Sequence, residues 1–255
     1  MRPIRTALLL ATLGLGGLVS TGCAARPGRP PADLSPGPTA AGPGTSSGGS
    51  PPAGGALRYV ALGDSYTIGT ALPDPRDRWP DRLVAALGDA TPTLRLVANL
   101  GVNGFTSGNV VETELPELDR WTPQFASVLV GVNDVVQGVS LETYRANVIV
   151  ILDALLTRLP ADRIIAVATP DYTVTPQGAA YGDPTTQSAG IRAANATLRE
   201  LALARGIAYV DIHDLSLRAA SDPTLVAADG LHPSGAQYAL WVERIAPVVI
   251  GLLGR

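Results

Sequence analysis

Five short apolar runs punctuate the chain: RYVAL at 58–62, LRLVA at 94–98, SVLVG at 127–131, RIIAVA at 163–168 and IAYVDI at 207–212. Short and almost continuously apolar, they read as strands buried on both faces of a parallel sheet. Longer segments with helical patterning lie between and after them. WPDRLVAALG (79–88) and LETYRANVIVILDALLTRL (141–159) are the clearest, the second with Ser140 as N-cap and Glu142 in its first turn. TQSAGIRAANATLRELALARG (186–206) stops at Gly206, and SGAQYALWVERIAPVVIGLL (234–253) opens on Ser234 and is expected to kink at Pro247. This alternation predicts the α/β class, a three-layer α/β/α sandwich around a mainly parallel sheet of about five strands. Ligands of such sheets bind outside the carboxyl ends of the strands, so the residues that follow each run are the candidates for chemistry.

The first run is followed by Gly63-Asp64-Ser65, the second by Asn99-Leu100-Gly101-Val102-Asn103-Gly104, and the third by Val132-Asn133-Asp134. Before the last helix comes ADGLHPSG, in which Asp229 and His232 are three apart. A serine is a poor nucleophile until a base takes its proton, and the base works best when a carboxylate fixes its tautomer. Ser65, His232 and Asp229 supply those roles. The tetrahedral intermediate then needs donors for its oxyanion, which a glycine N–H and an asparagine amide provide, and Gly101 and Asn133 are expected to do so.

The four blocks GDSY (63–66), NLGVNG (99–104), GVND (131–134) and DGLH (229–232) resemble those of the SGNH, or GDSL-type, hydrolases, in family order and across nearly the whole folded part. The resemblance implies a flavodoxin-like sandwich with Ser65 as nucleophile, His232 as general base and Asp229 as its orienting partner. It further implies an oxyanion hole built from the Ser65 N–H, the Gly101 N–H and the Asn133 side chain, with no metal or cofactor. The G-x-S-x-G nucleophile elbow of other lipases is absent, because Thr67 stands in place of its second glycine.

Several of these residues have plainer readings: Ser65 and Gly101 as turn formers, Asn133 as a strand-end cap. Asp134 is expected to bond within its loop and not to react. The chain has two histidines, and the rival base is His213 in VDIHDL, flanked by Asp211 and Asp214 but without the DxxH spacing. Asp74, Asp77 and Asp81 alternate with Arg76, Arg78 and Arg82 as a mixed-charge surface, and with no histidine or cysteine among them they do not read as a metal site. The chain contains no lysine and its arginines are scattered, which argues against a nucleic-acid surface.

The N-terminus carries a different signal. Arg2 and Arg5 precede an apolar stretch from Ala7 to Val19, too short to span a membrane, and small residues lead into Cys23, the only cysteine. The segment resembles a bacterial lipoprotein signal, with Ser20 where leucine is usual, and implies lipidation at Cys23. A lone cysteine excludes an internal disulfide. The Pro/Gly/Ser-rich stretch that follows cannot bury enough apolar surface to order itself. Three regions are therefore expected: an export signal at 1–22, a lipidated Cys23 with a linker to residue 56, and a hydrolase domain over 57–255.

Together these readings predict an exported, membrane-tethered serine esterase, monomeric, acting on a small ester, glycan ester or lipid ester. Short acyl groups, such as acetyl on glycans, are favoured because a domain this size leaves little room for a long-chain tunnel. Lysophospholipid or thioester hydrolysis, acyl transfer, and a silent tethered binding module are the alternatives. Loops 66–78 and 170–185 are expected to wall the pocket, with Tyr172 and Tyr181 stacking on a sugar, lining an acyl pocket, or simply packing.

Overall fold

The structure is a computed structural model and describes residues 55–88 and 92–254. The export signal 1–22, Cys23 and the linker as far as residue 54 lie outside the described residues.

Each apolar run becomes a strand: β1 (Leu57–Gly63), β2 (Leu94–Asn99), β3 (Phe125–Leu129), β4 (Ile164–Val167) and β5 (Ala208–Val210). They form one sheet in the order β2-β1-β3-β4-β5, with every pairing parallel. This is the flavodoxin-like order, and its winding reverses at β1 and β3, so a crevice opens outside their carboxyl ends.

Side chains alternate between the two faces as the pleat requires. Tyr59, Ala61, Phe125, Leu129, Ile165 and Val167 point to one core, and Val60, Leu62, Ala126, Val128, Ile164 and Ala166 to the other. Both faces of the sheet are buried, which is why the runs read as almost unbroken apolar stretches. Each fully buried Leu, Ile or Val contributes about 1.5–3 kcal/mol.

The helices supply the outer layers. In chain order they are α1 (Ser65–Ile68), α2 (Trp79–Leu87), α3 (Ser107–Asn109), α4 (Leu115–Trp121), α5 (Val132–Val136), α6 (Leu141–Leu156), α7 (Pro184–Leu203), α8 (His213–Leu217) and α9 (Gly235–Leu253). Trp79 and Leu83 of α2 meet Trp241, Ile245 and Val249 of α9 on the first face, while α4, α6 and α7 cover the second. Ser140 caps α6 by accepting the Thr143 N–H at 3.0 Å. α7 begins earlier than its apolar pattern suggests, because Asp183 caps it and Pro184 occupies its first position. α9 runs as a single helix through Pro247.

The short helices α1, α5 and α8 and the longer helical segment that follows Thr106 lie outside the helices the apolar pattern predicts. Thr106 and Asn109 form a reciprocal cap on α3, and a five-residue π-helical turn, Val110–Glu114, joins α3 to α4. The π turn turns Glu114 inward beneath the end of β1, where it is 2% exposed.

Candidate active site

The turn after β1 is built by three residues. Gly63 has φ +147°, and a Cβ there would lie 2.1 Å from the Leu129 carbonyl oxygen, so only glycine fits between β1 and β3. Asp64 caps α1 by accepting the Tyr66 N–H at 2.9 Å, and its carbonyl takes the Thr67 and Ile68 N–H groups at 3.0 Å. Ser65 is thereby set at the first position of α1, at the crevice between β1 and β3. Its own N–H finds no acceptor among the described residues.

His232 is presented by a tight loop. Asp229 Oδ1 accepts the Leu231 and His232 N–H groups at 3.0 Å each, and Gly230 takes the left-handed conformation at φ +73°. The same carboxylate reaches the imidazole, with Oδ2 at 2.5 Å from Nδ1. A carboxylate accepts, so Nδ1 carries the hydrogen and Nε2 is left with its lone pair. Burial raises the Asp229 carboxyl, but the bonds from the His232 ring and the two loop N–H groups outweigh it and hold the carboxyl below its usual range. The His232 ring packs on Tyr66, with centroids 5.2 Å apart.

Ser65 and His232 line one cavity of about 240 Å³, together with Asn103, Gly104 and Asn133. No hydrogen bond joins the serine hydroxyl to the ring in this state, a looseness common before substrate is bound. Asn133 sits in α5, one residue past its start, and its Nδ2 donates to the Phe105 carbonyl at 3.0 Å, which orients the amide and leaves its second hydrogen free. Asp134, beside it, turns away and binds the Ser107 N–H at 2.8 Å and the Ser107 hydroxyl at 2.5 Å. That clamp ties α5 to the start of α3.

The assignment of Gly101 as an oxyanion donor needs correction. Its N–H is taken by Asn99 Oδ1 at 3.2 Å, and it borders a separate depression beside Ile68 to Ala71. A Cβ at Gly101 would lie 2.8 Å from the Asp64 carbonyl oxygen and 2.9 Å from the Ile68 nitrogen, so only glycine lets the loop after β2 back directly onto the turn that carries Ser65. The glycine facing the cavity is Gly104. Its N–H has no acceptor among the described residues, its carbonyl is held by Gln137 Nε2 at 2.9 Å, and its φ is +79°. Two glycines three apart in one loop are equivalent on paper; only the path of the loop separates them.

The rival histidine is elsewhere. His213 Nε2 lies 3.6 Å from Asp171 Oδ2, beyond hydrogen-bond range, and the residue borders a depression with Arg192, Arg199 and Tyr209. The charged cluster of the 74–82 loop resolves into the ion pairs Arg76–Asp74, Arg78–Asp81 and Arg82–Asp77. Tyr172 and Tyr181 do wall the cavity, edge to face with centroids 5.8 Å apart, and the Tyr172 hydroxyl is anchored on Gln187 at 2.8 Å.

Behind Ser65 lie three buried carboxyls, one of them unforeseen. Glu114 Oε2 accepts the Gly63 N–H at 2.9 Å. Burial, partly relieved by that bond and reinforced by the Asp64 charge, pushes Glu114 up to about 9. Burial likewise pushes Asp64 up to about 8, against the Tyr66 N–H and with help from Asp134. Asp134 is raised by burial against its Ser107 bonds. No motif marks Glu114; the one available signal is an acid on the apolar side of a segment that otherwise buries Val110, Leu115 and Leu118.

A serine, an imidazole with a free nitrogen and unpaired amide donors lining one cavity are an arrangement able to carry out acyl transfer. A sequence model of the family described as GDSL-like lipase/acylhydrolase matches residues 61–240. No curated protein sequence matches the chain. Among solved structures, TesA is similar at 19% identity and a TM-score of 0.61, over 77% of this chain and 99% of its own. Axe2, an acetylxylan esterase from Geobacillus stearothermophilus, is similar at 18% identity and a TM-score of 0.58, over 79% and 96%. A lipase/acylhydrolase from Enterococcus faecalis gives 20% and 0.57, over 76% and 96%. At such identities the likeness speaks for the fold.

Proposed function

The chain belongs to the GDSL-like lipase/acylhydrolase family and is an ester-hydrolysing enzyme, and from that premise we propose that it is a serine esterase working through Ser65, His232 and Asp229. The observation that carries the reading is the Asp229–His232 pair, which leaves Nε2 as the proton acceptor in the cavity that Ser65 lines.

His232 Nε2 takes the proton as Ser65 Oγ attacks the ester carbonyl. The negative charge then gathers on the former carbonyl oxygen, stabilised by the Ser65 N–H, the Gly104 N–H and the Asn133 amide. Protonated His232 gives its proton to the departing alcohol, and Asp229 stabilises the transient imidazolium. Water, deprotonated by the same nitrogen, releases the acyl group and restores the serine.

The cavity of about 240 Å³, walled by Tyr66, Val132 and Tyr172, favours a short acyl chain, and the half-exposed Tyr181 at its edge suits a sugar ring on the alcohol side. Export and anchoring through Cys23 are part of the same proposal, supported by the sequence of residues 1–23. The decisive experiment measures hydrolysis of p-nitrophenyl esters of graded length by the full-length protein and by Ser65→Ala. Acetate or butyrate should be preferred and the variant should be inactive; equal rates would sink the reading. Cys23→Ser should release the protein from membranes, and unchanged partitioning would refute the anchor.

A further inference from the structure

The nucleophile turn rests on acids with no cation to balance them. Glu114 uses Oε2 to accept the Gly63 N–H, while its Oε1 is buried without a donor. Asp64 repeats the pattern: Oδ1 accepts the Tyr66 N–H, and Oδ2 is buried without a donor. The Asp64 carboxyl raises the cost of ionising Glu114, and Asp134 raises that of ionising Asp64. The other titratable groups facing Asp64 are the Tyr66, Tyr144 and Tyr238 hydroxyls, all kept neutral by burial. The chain has no lysine, and among the described residues no arginine pairs with any of these acids.

A buried carboxylate oxygen without a donor is far costlier than the same oxygen bearing a proton. Packing does not account for the acid either, since the buried residues around it on the same segment, Val110, Leu115 and Leu118, are apolar. What Glu114 does contact is the peptide N–H immediately before the turn.

We propose that Glu114 is a positioning residue for the nucleophile: as the neutral acid, with its proton on Oε1, it staples the Gly63 N–H, holds Ser65 in place, and with neutral Asp64 keeps negative charge from behind the oxyanion site. This deepens the reading of Ser65 as nucleophile and rests on it. At neutral pH both acids keep their protons. In alkali they ionise, and their charges oppose the oxyanion in the transition state while leaving a neutral ester's ground state alone. The effect belongs in kcat and not in KM.

The test compares the full-length wild type with Glu114→Gln, whose amide mimics the neutral acid, with Glu114→Ala, and with Ser65→Ala as reference. At pH 7, Glu114→Gln should keep kcat within about 2-fold and Glu114→Ala should lose about 10-fold or more, with KM steady in both. Between pH 8 and 10 the wild type should lose kcat, and Glu114→Gln should lose visibly less. A Glu114→Gln variant as impaired as Glu114→Ala, or an alkaline limb identical to wild type, would overturn the proposal.

Melting temperature gives a readout independent of activity. Because the folded Glu114 is raised above its ordinary 4.5, its contribution is complete below that value and is lost as pH rises through about 9. Glu114→Gln has no such loss, so its advantage in Tm should widen from pH 5 to 9, and a constant gap would equally overturn the idea. Should Glu114→Ala fail to fold, the Gln variant decides alone. Full activity in Ser65→Ala would instead refute the nucleophile and leave the Tm result standing.

Discussion

Two regions of this molecule bring a serine, a histidine and an aspartate together, and only one leaves a ring nitrogen without a partner in a cavity that the serine lines. At the cavity, Asp229 spends itself on its own loop and on His232 Nδ1, so the other ring nitrogen keeps its lone pair in the cavity that Ser65 lines. Beneath the pocket wall, Asp171 gathers the donors instead: Ser188 Oγ at 2.5 Å, Thr173 Oγ1 at 2.6 Å and, more distantly, His213 Nε2 at 3.6 Å. Ser188 is fixed as a donor to carboxylate and has no base. Ser216 closes that cluster, donating to the His213 carbonyl and accepting the Asp171 N–H. The first arrangement leaves a ring nitrogen unused in a cavity; the second spends the Asp171 carboxylate on holding the chain that carries Tyr172.

Mutation should separate the two regions by orders of magnitude. Ser65→Ala is expected to lower kcat about 10⁴-fold or more, and Asp229→Asn to approach 10⁴ by permitting the wrong His232 tautomer. Single-turnover and steady-state assays on a chromogenic ester read both, and an Asp229→Asn enzyme within 10-fold of wild type would break the assignment of the pair. Asn133→Ala removes one oxyanion donor and should cost about 10²–10³ in kcat, with KM little changed. A loss confined to KM would place Asn133 in ground-state binding.

Smaller effects belong to the second region. Asp171→Asn and Ser188→Ala should leave kcat within about 3-fold, while destabilising the fold by about 1–3 kcal/mol through unpaired buried groups. Urea denaturation checks the second figure. A triad-sized loss of kcat would show that this cluster takes part in the reaction.

The pH response of Asp171 sharpens the contrast. Burial raises its carboxyl, but the donors around it win and hold it far below the ordinary Asp value of 3.8. Its contribution is thus complete above pH 3.8 and is lost as pH falls further, the opposite of Glu114. The urea midpoint of Asp171→Asn should converge on that of the wild type as pH drops below 4; a constant difference would mean that the carboxylate charge is not what stabilises.

Much of the fold was readable because burial on both faces leaves a composition signal that no local accident imitates. All five runs became strands, displaced by at most a couple of residues, and Ser140 and Gly206 act at the ends of their helices as expected. The segment from Thr106 to Trp121 was not readable. Its helix is broken by a π turn and interrupted by Glu112, Glu114 and Pro116, so its apolar period slips midway.

The sequence by itself determined the layer architecture, the residue types at each strand end and the DxxH spacing, since these depend on local pattern and on the rule that parallel strands converge at one edge. Only the tertiary structure decided which atoms remain available. It separated Gly104 from Gly101, because a donor matters only if nothing else has claimed it, and Asn99 has claimed Gly101. It also put Glu114 under Gly63, 51 residues away along the chain. A contact between distant segments leaves no periodicity in either one, so it is invisible until the chain has folded.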